Sequence, residues 1–199
     1  MKNKNLYPRI LLLVFGVIAS GVGQGLTIVA DLGLAPWDIF HKQLSIIFGW
    51  TIGQVNILVS FIIIIAWIPL KQKIGIGTLL GIVGVGLFID ITIHFFETNM
   101  DIWEQIFCLV VGLFVFSFGI GAFICSGLGV GPRDGLMVGI SNLGFPLRIV
   151  RIIIDASALL LGLFLGGKAG FGTVLMVISV GPIAQHSIKY FKWWIEKSE

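Results

Sequence analysis

Seven polar side chains in apolar surroundings are the candidates for binding a solute or an ion: Asp38, Asn56, Asp90, Arg133, Asp134, Arg151 and Asp155. An ionisable group at the centre of a bilayer costs at least ~2.5 kcal/mol, so each needs an explanation. Carboxylates can carry protons or cations, and guanidinium groups bind the anionic groups of a solute. Arg151 and Asp155 are four residues apart, so they share one helix face and can pair.

Two of these aspartates lie in a motif that occurs twice, about 96 residues apart. The first copy reads GLAPWD from Gly33 to Asp38, and the second reads GVGPRD from Gly129 to Asp134. Proline suits the first position of a helix, and an aspartate two residues later meets the positive end of the helix dipole. Helix capping, repeated because the fold is repeated, explains the motif as well as a pair of broken helix ends beside a solute pathway does.

Polar residues recur at matching heights in the two halves of the chain. At an offset of about 95 residues, Asn56 corresponds to Arg151, Ser60 to Asp155, and Asp90 to Gln185. A shared interior surface would have this property, although polar contacts between helices would produce it too. We therefore predict a polar cavity where the halves meet, lined by Asp90, Arg151, Asp155 and Asn56, with Gln24 and Gln54 as weaker candidates.

The elements that position these residues are membrane helices. Charged residues are 12% of the chain and the hydrophobic fraction is 57%, which excludes a soluble domain. This composition also argues against nucleic-acid binding and against a cytosolic enzyme. Stretches of roughly 20 apolar residues predict six transmembrane helices, at about 9–30, 53–70, 75–96, 103–125, 147–166 and 171–193. Two shorter segments, 36–48 and 132–145, predict one re-entrant or interfacial helix in each half.

The positive charges orient these spans. With six spans, the cytoplasmic side receives Lys2, Lys4, Arg9, Lys71, Lys73, Arg133, Arg148, Arg151, Lys189, Lys192 and Lys197, and the other side receives Lys42 and Lys168. Both termini are then cytoplasmic. The aromatic residues Tyr7, Trp37, Trp50, Trp67, Trp103, Tyr190, Trp193 and Trp194 are predicted to form belts at the two membrane interfaces.

An odd number of spans per half inverts the second half. The fold predicted is an all-α integral membrane protein with six transmembrane helices as a 3+3 inverted repeat. Residues 1–199 form a single membrane domain, with one repeat at about 9–97 and the other at about 103–194. The first proline–aspartate turn is expected to face outside and the second inside.

Nothing in the sequence indicates an enzyme, a cofactor or a metal site. No nucleophile, base and orienting group occur together, and His41, His94 and His186 have no ligand partners at metal spacing. Cys108 and Cys125 lie 17 residues apart on one predicted helix and cannot bond to each other.

The proline–aspartate motifs, Arg151 and the run from Gly170 to Thr173 resemble the YczE/YyaS group of small bacterial integral membrane proteins, which is distantly similar to the YitT family. The resemblance covers essentially the full chain. It implies a multi-pass protein of the bacterial plasma membrane and supplies no substrate or catalytic residue.

Together these features favour a transporter or permease that moves a small solute by rocking of two inverted halves. Asp90 or Asp155 would be the coupling carboxylate, and Arg151 or Arg133 would contact an anionic group of the solute. The alternative is a membrane accessory or scaffold protein that regulates or docks a partner. The expected partners are the lipid bilayer and a small solute, no nucleic acid is expected, and the residues leave open a homo-oligomer or a membrane partner.

Overall fold

The computed structural model describes residues 6–96 and 100–198, and every regular element within them is an α-helix. The helices are α1 (Leu6–Val29), α2 (Pro36–Phe48), α3 (Ile52–Trp67), α4 (Ile76–Phe95), α5 (Ile102–Ser126), α6 (Pro132–Ser141), α7 (Leu147–Phe164) and α8 (Phe171–Ser198). The predicted segments match these helices to within a few residues at each end. Lys2 and Lys4, which contributed to the charge bias, lie outside the described residues.

The short helices begin and end where local chemistry requires. Pro36 and Pro132 occupy the first turns of α2 and α6, where a missing N–H has no consequence. Gly49 ends α2 in the left-handed region at φ 67°. A capping box starts α3, because the Thr51 hydroxyl accepts from the Gln54 backbone N–H while the Gln54 side chain accepts from the Thr51 N–H.

The centre of the protein is the crossing of α1 and α5, and it depends on glycines. A Cβ added at Gly23 would lie 2.7 Å from the Phe116 Cα and 2.8 Å from the Gly112 carbonyl oxygen. A Cβ at Gly16 would lie 3.0 Å from the Gly119 oxygen. Helices in lipid associate mainly by close van der Waals packing, so small residues at this crossing let the two backbones approach.

The loops that follow α1 and α5 dock on the first turns of α8 and α4. The Gly172 N–H donates to the Leu32 carbonyl oxygen over 2.8 Å, and the Gly77 N–H donates to the Leu128 carbonyl oxygen over 3.0 Å. The two bonds join positions separated by the repeat offset. Around this frame α4 packs on α1, α8 on α5, α2 on α7, and α3 on α6.

Two contacts between the halves pair a large side chain with a glycine. Trp67 of α3 covers Gly135 of α6, and Ile39 of α2 lies against Gly162 of α7, where an added Cβ would be 2.8 Å from the Ile39 Cγ2. The Trp67 indole donates to the Pro132 carbonyl oxygen over 3.0 Å, and its side chain is 1% exposed. The expectation that Trp67 belongs to an interfacial aromatic belt is therefore wrong, because the glycine opposite it accommodates the ring inside the protein.

The protein is an integral membrane protein. Among the described residues, α1, α4, α5 and α8 are each long and apolar enough to cross a bilayer, and α2 with α3, bent by 109°, would make a fifth crossing. By itself α3 has 16 residues, and the 18 residues of α7 include three charged side chains, so neither qualifies alone. Large apolar side chains such as Ile76, Trp103 and Phe164 point outward, where lipid contacts them.

The α1–α5 crossing gives a stability prediction. Gly23→Ala should lower the free energy of unfolding by about 1–3 kcal/mol, since the added methyl group overpacks a helix crossing. Gly181→Ala is the matched control, because a Cβ at Gly181 meets nothing within 4 Å. Thermal unfolding of the purified variants in one detergent measures both. Equal melting temperatures would contradict a crossing held by glycine contacts.

Candidate functional site

A cavity of about 560 Å³ lies where the helices of the two halves meet. All eight helices or the turns beside them contribute to its wall. Its polar and charged lining consists of Ser20, Gln24, Asp38, Asn56, Ser60, Arg133, Asp134, Arg148, Arg151 and Asp155. Six of the seven residues singled out from the sequence are therefore brought together, and the exception is Asp90.

The two proline turns meet in this cavity. The Arg133 guanidinium, from the start of α6, lies over the Trp37 ring, from the start of α2, at 5.1 Å from the ring centroid. Asp38 and Asp134 both line this cavity, so the expectation that they lie on opposite membrane faces is wrong. The first turns of α2 and α6 point inward, so the amino-terminal ends of both helices converge instead of facing separate solvents.

Trp37 also connects the first half to α7. Its indole N–H donates to the Asp155 Oδ1 over 3.0 Å. The other carboxylate oxygen of Asp155 lies 3.7 Å from the Arg151 Nε, which is the pair expected from their spacing. Arg133, Trp37, Asp155 and Arg151 thus form a continuous chain of contacts across the cavity wall.

Asp38 is the most enclosed charged side chain of the cavity, at 1% exposure. Its Oδ1 accepts a hydrogen bond from the Gln24 Nε2 of α1. His41, one turn later on α2, is equally buried, and its Nδ1 lies 4.0 Å from the Asp38 Oδ1 and 3.4 Å from the Asn56 Nδ2. The first proline turn therefore carries a buried polar cluster contributed by α1, α2 and α3.

The arginines of the cavity are not all neutralised. In the residues that the structure describes, Arg151 pairs with Asp155, whereas Arg133 and Arg148 form no ion pair. Arg148 is exposed and Arg133 is half-buried against the Trp37 ring. Two guanidinium groups can therefore accept the anionic group of a molecule entering the cavity.

Asp90 lies outside the cavity, and its predicted place in the lining is wrong. Its carboxylate accepts from the Thr51 hydroxyl over 2.6 Å and from the Gly53 backbone N–H over 2.8 Å. The first N–H groups of a helix have no partner within the helix and favour a negative charge. Asp90 on α4 supplies that acceptor to α3, so its chemistry is explained by holding two helices together.

The two hydrogen bonds that Asp90 accepts from the start of α3, here called the clamp, have no counterpart in the second half. The corresponding residue, Gln185, is exposed on α8, and the residue corresponding to Gly53 is Arg148. Within the described residues α3 packs along α4, whereas α7 makes almost no contact with α8. The cavity is consequently closed between α3 and α4 and open between α7 and α8.

A pair of equivalent glycines records the same difference. A Cβ added at Gly86 of α4 would lie 2.5 Å from the Ile57 Cγ1 and 2.7 Å from the Gly53 carbonyl oxygen. At Gly181, its equivalent on α8, an added Cβ meets nothing within 4 Å, although Gly181 lines the cavity. The second half therefore has at Gly181 the small residue that close packing of α7 on α8 would need, although α7 does not pack there.

Sequence reasoning underrated three residues. Gln24 is a weaker candidate from the sequence and His41 has no ligand partners at metal spacing, yet both belong to the buried cluster around Asp38. Trp37 was assigned to an interface and instead bridges to Asp155. The available signal was the apolar character of the equivalents of Gln24 and His41, which are Ile120 and Met137, since an unmatched polar residue in a repeat needs a local reason.

In the part of the chain that the structure describes, no three His, Cys, Asp or Glu side chains are grouped as metal ligands. The site instead combines one buried carboxylate, two unpaired guanidinium groups and apolar walls from Ile82, Phe123 and Val180. That composition suits reversible binding of a small amphiphilic molecule.

Comparison with known proteins agrees with this membrane architecture. Residues 7–189 match a family described as "Family of unknown function (DUF6198)". The chain belongs to the DUF6198 family. An uncharacterized protein of Haemophilus influenzae is 37% identical over 181 residues, which cover 90% of this chain and 83% of the relative.

Two relatives from Bacillus subtilis confirm the YczE/YyaS resemblance. The uncharacterized membrane protein YczE is 34% identical over 184 residues, covering 92% of this chain and 83% of the relative. The uncharacterized protein YyaS is 26% identical over 174 residues, covering 84% and 86% respectively. No solved structure matches the chain.

The clamp on α3 gives a second prediction. Asp90→Ala should lower the free energy of unfolding by ~1 kcal/mol, because it removes the acceptor of two partly exposed hydrogen bonds. Gln185→Ala, at the equivalent position, should change it by less than ~0.5 kcal/mol. Denaturation in matched micelles compares the two, and an equal loss for both variants would contradict the asymmetry.

Proposed function

We propose that this protein is a transporter of the plasma membrane that moves a small solute carrying an anionic group by alternating access. The observation that carries the proposal is the cavity between the halves, which is closed along α3 and α4, open along α7 and α8, and lined by two unpaired arginines. The proposed role is not enzymatic.

The first support concerns architecture. We infer six crossings in two inverted halves, α1, α3 and α4 in one and α5, α7 and α8 in the other. The exchanged hydrogen bonds of Gly77 with Leu128 and Gly172 with Leu32 are what a two-fold relation between halves would produce. Pairing of Arg151 with Asp155 reduces the cost of placing α7 in the bilayer. The charge bias then puts both termini in the cytoplasm.

The second support is the difference between the halves. Inverted-repeat transporters alternate when one bundle rocks against the other around a central site. In such a cycle a helix pair that is packed in the first half in one state is separated in the other state, and the equivalent pair of the second half does the opposite. The closed α3–α4 pair and the separated α7–α8 pair fit one of two such states, and Gly181 fits the packing of the other.

The third support concerns the solute. Arg133 and Arg148 form no ion pair among the described residues, and a guanidinium group without an ion-pair partner attracts carboxylate, phosphate or sulfonate groups. The cavity volume of about 560 Å³ lies in the range of small-molecule sites. Apolar lining from α5 and α8 favours a solute with a hydrocarbon portion.

Ligand-induced stabilisation tests the anionic group. Purified protein is heated with a panel of carboxylates, phosphates and sulfonates, and a ligand at about 100 times its Kd should raise stability by about 2.7 kcal/mol. Arg133→Gln and Arg148→Gln should weaken the response to the best compound. Lys42→Gln is the charge-matched control, because Lys42 lies outside the cavity lining and its Nζ is 2.8 Å from the Asp31 Oδ1. Equal weakening by all three variants would contradict a role for the cavity arginines.

Reciprocal cross-linking tests alternation without a known solute. In a background lacking Cys108 and Cys125, one variant carries Thr51→Cys with Asp90→Cys, and another carries Arg148→Cys with Gln185→Cys. We expect the first pair to cross-link in the observed state and the second in the alternate state, so a condition that raises one yield should lower the other.

Gly181→Leu adds a second test once the stabilisation panel has identified a solute, because this variant should block the approach of α7 to α8 and abolish counterflow of that solute in proteoliposomes without lowering the melting temperature. Gly181→Ala should lower counterflow less than Gly181→Leu does, and the control is Ile178→Leu, an exposed position of α8 outside the cavity, which should retain it. Yields that never change, together with normal counterflow by Gly181→Leu, would overturn alternating access. Absent counterflow with a copurifying membrane protein would instead favour the accessory role.

A further inference from the structure

The buried cluster behind the first proline turn contains polar atoms that have no hydrogen-bond partner among the described residues. Gln24, Asp38 and His41 are each 1% exposed and Asn56 is 3% exposed. Once the Gln24–Asp38 and Asn56–His41 contacts are made, three buried atoms have no partner among the described residues: Gln24 Oε1, Asp38 Oδ2 and His41 Nε2. A buried polar atom without a partner is rare and costly, and a carboxylate oxygen most of all.

The cluster is not a consequence of helix capping. Capping would require only the aspartate, which recurs as Asp134 in the second half. The residues around it do not recur, since Gln24 and His41 correspond to Ile120 and Met137, and Asn56 to Arg151. The first half therefore surrounds its aspartate with neutral polar side chains, whereas the aspartate of the second half lies near the charged groups Arg133, Arg151 and Asp155.

The chemistry of the unpartnered atoms selects the ligand. One carboxylate and one amide oxygen supply a single negative charge and hard oxygen donors, which attract a monovalent cation or a proton. The enclosure excludes a large organic cation. Gln24, Asp38 and Asn56 also line the cavity, so an ion can reach them from it.

We propose that the Asp38 carboxylate and the Gln24 amide oxygen, beside Asn56 and His41, form a binding site in the cavity wall for a small monovalent cation, either a sodium ion or a proton. The binding itself does not depend on transport, whereas its use as a coupling ion rests on the proposed function. Asp38 directly follows Trp37, which contacts both Arg133 and Asp155. A cation bound at Asp38 can therefore influence α7 through the first turn of α2, which carries both Asp38 and Trp37.

Other charges surround the cluster, and they define the controls. On its own helix Asp38 faces His41, and across the cavity α6 contributes Arg133 and Asp134, and α7 contributes Arg148, Arg151 and Asp155. The α1 and α3 walls contribute only uncharged side chains, and the cavity-lining residues of α4, α5 and α8 are uncharged. Asp134 is the matched control, because it has the same position in the repeated motif while Arg133, Arg151 and Asp155 take the place of the neutral polar groups.

Two measurements on the wild-type protein in nanodiscs distinguish the ions. Scintillation proximity with ²²Na⁺ reports sodium binding, and infrared difference spectra between acid and neutral buffer report protonation of a buried carboxyl group. We expect one of the two signals. Neither saturable sodium binding nor a buried carboxyl band would overturn the proposal, whatever the variants do.

Variants then assign the signal. Asp38→Asn should remove it, and Gln24→Leu should weaken binding ~30-fold or more, the loss typical of removing a buried polar partner of a charge. Asp134→Asn should leave it intact. A signal that survives Asp38→Asn, or one lost equally in Asp134→Asn, would overturn the assignment. Cation binding without solute flux would contradict only the proposed transport, and flux without any dependence on sodium or pH would contradict only the coupling.

Discussion

The structure depends on how the backbone is satisfied where the chain turns between helices inside the protein. A backbone N–H or carbonyl group that is buried there without a helical partner needs another protein partner. The loops that end α1 and α5 find theirs on the first turns of α8 and α4, through the bonds of Leu32 with Gly172 and Leu128 with Gly77. These bonds hold the two proline turns in place, and the proline turns bring Trp37 and Arg133 into contact.

Much of the fold was accessible from the sequence because hydrophobic length and helix-start chemistry are local properties. The predicted bounds of the first short helix, 36–48, agree with α2, and α6 ends at Ser141 instead of residue 145. The site was accessible only in part. Spacing correctly paired Arg151 with Asp155, but depth in the bilayer could not tell which way Asp90 faces around its helix axis. That rotation is fixed by α3, whose start needed an acceptor.

Symmetry and its departures have separate roles in this protein. Matched positions build the frame, such as the glycines of the α1–α5 crossing and the docked loops. Unmatched positions supply different chemistry to a shared space: oxygen ligands near Asp38 from the first half, and the unpaired guanidinium groups of Arg133 and Arg148 from the second. A cation and an anion could thus occupy one cavity without competing for the same groups, which is the arrangement that the proposed coupled transport requires.

The contacts of Trp67 with Gly135 and of Ile39 with Gly162 bear on the ancestry of the chain. Two copies of the first half, joined in place of the natural pair, would set Ile39 against Trp67 twice and overfill both contacts. Two copies of the second half would set Gly135 against Gly162 and leave both empty. If the chain arose by duplication of a gene whose product paired with itself, that self-pairing has been lost. These two contacts therefore favour the pairing of unlike halves over the pairing of either half with its own copy.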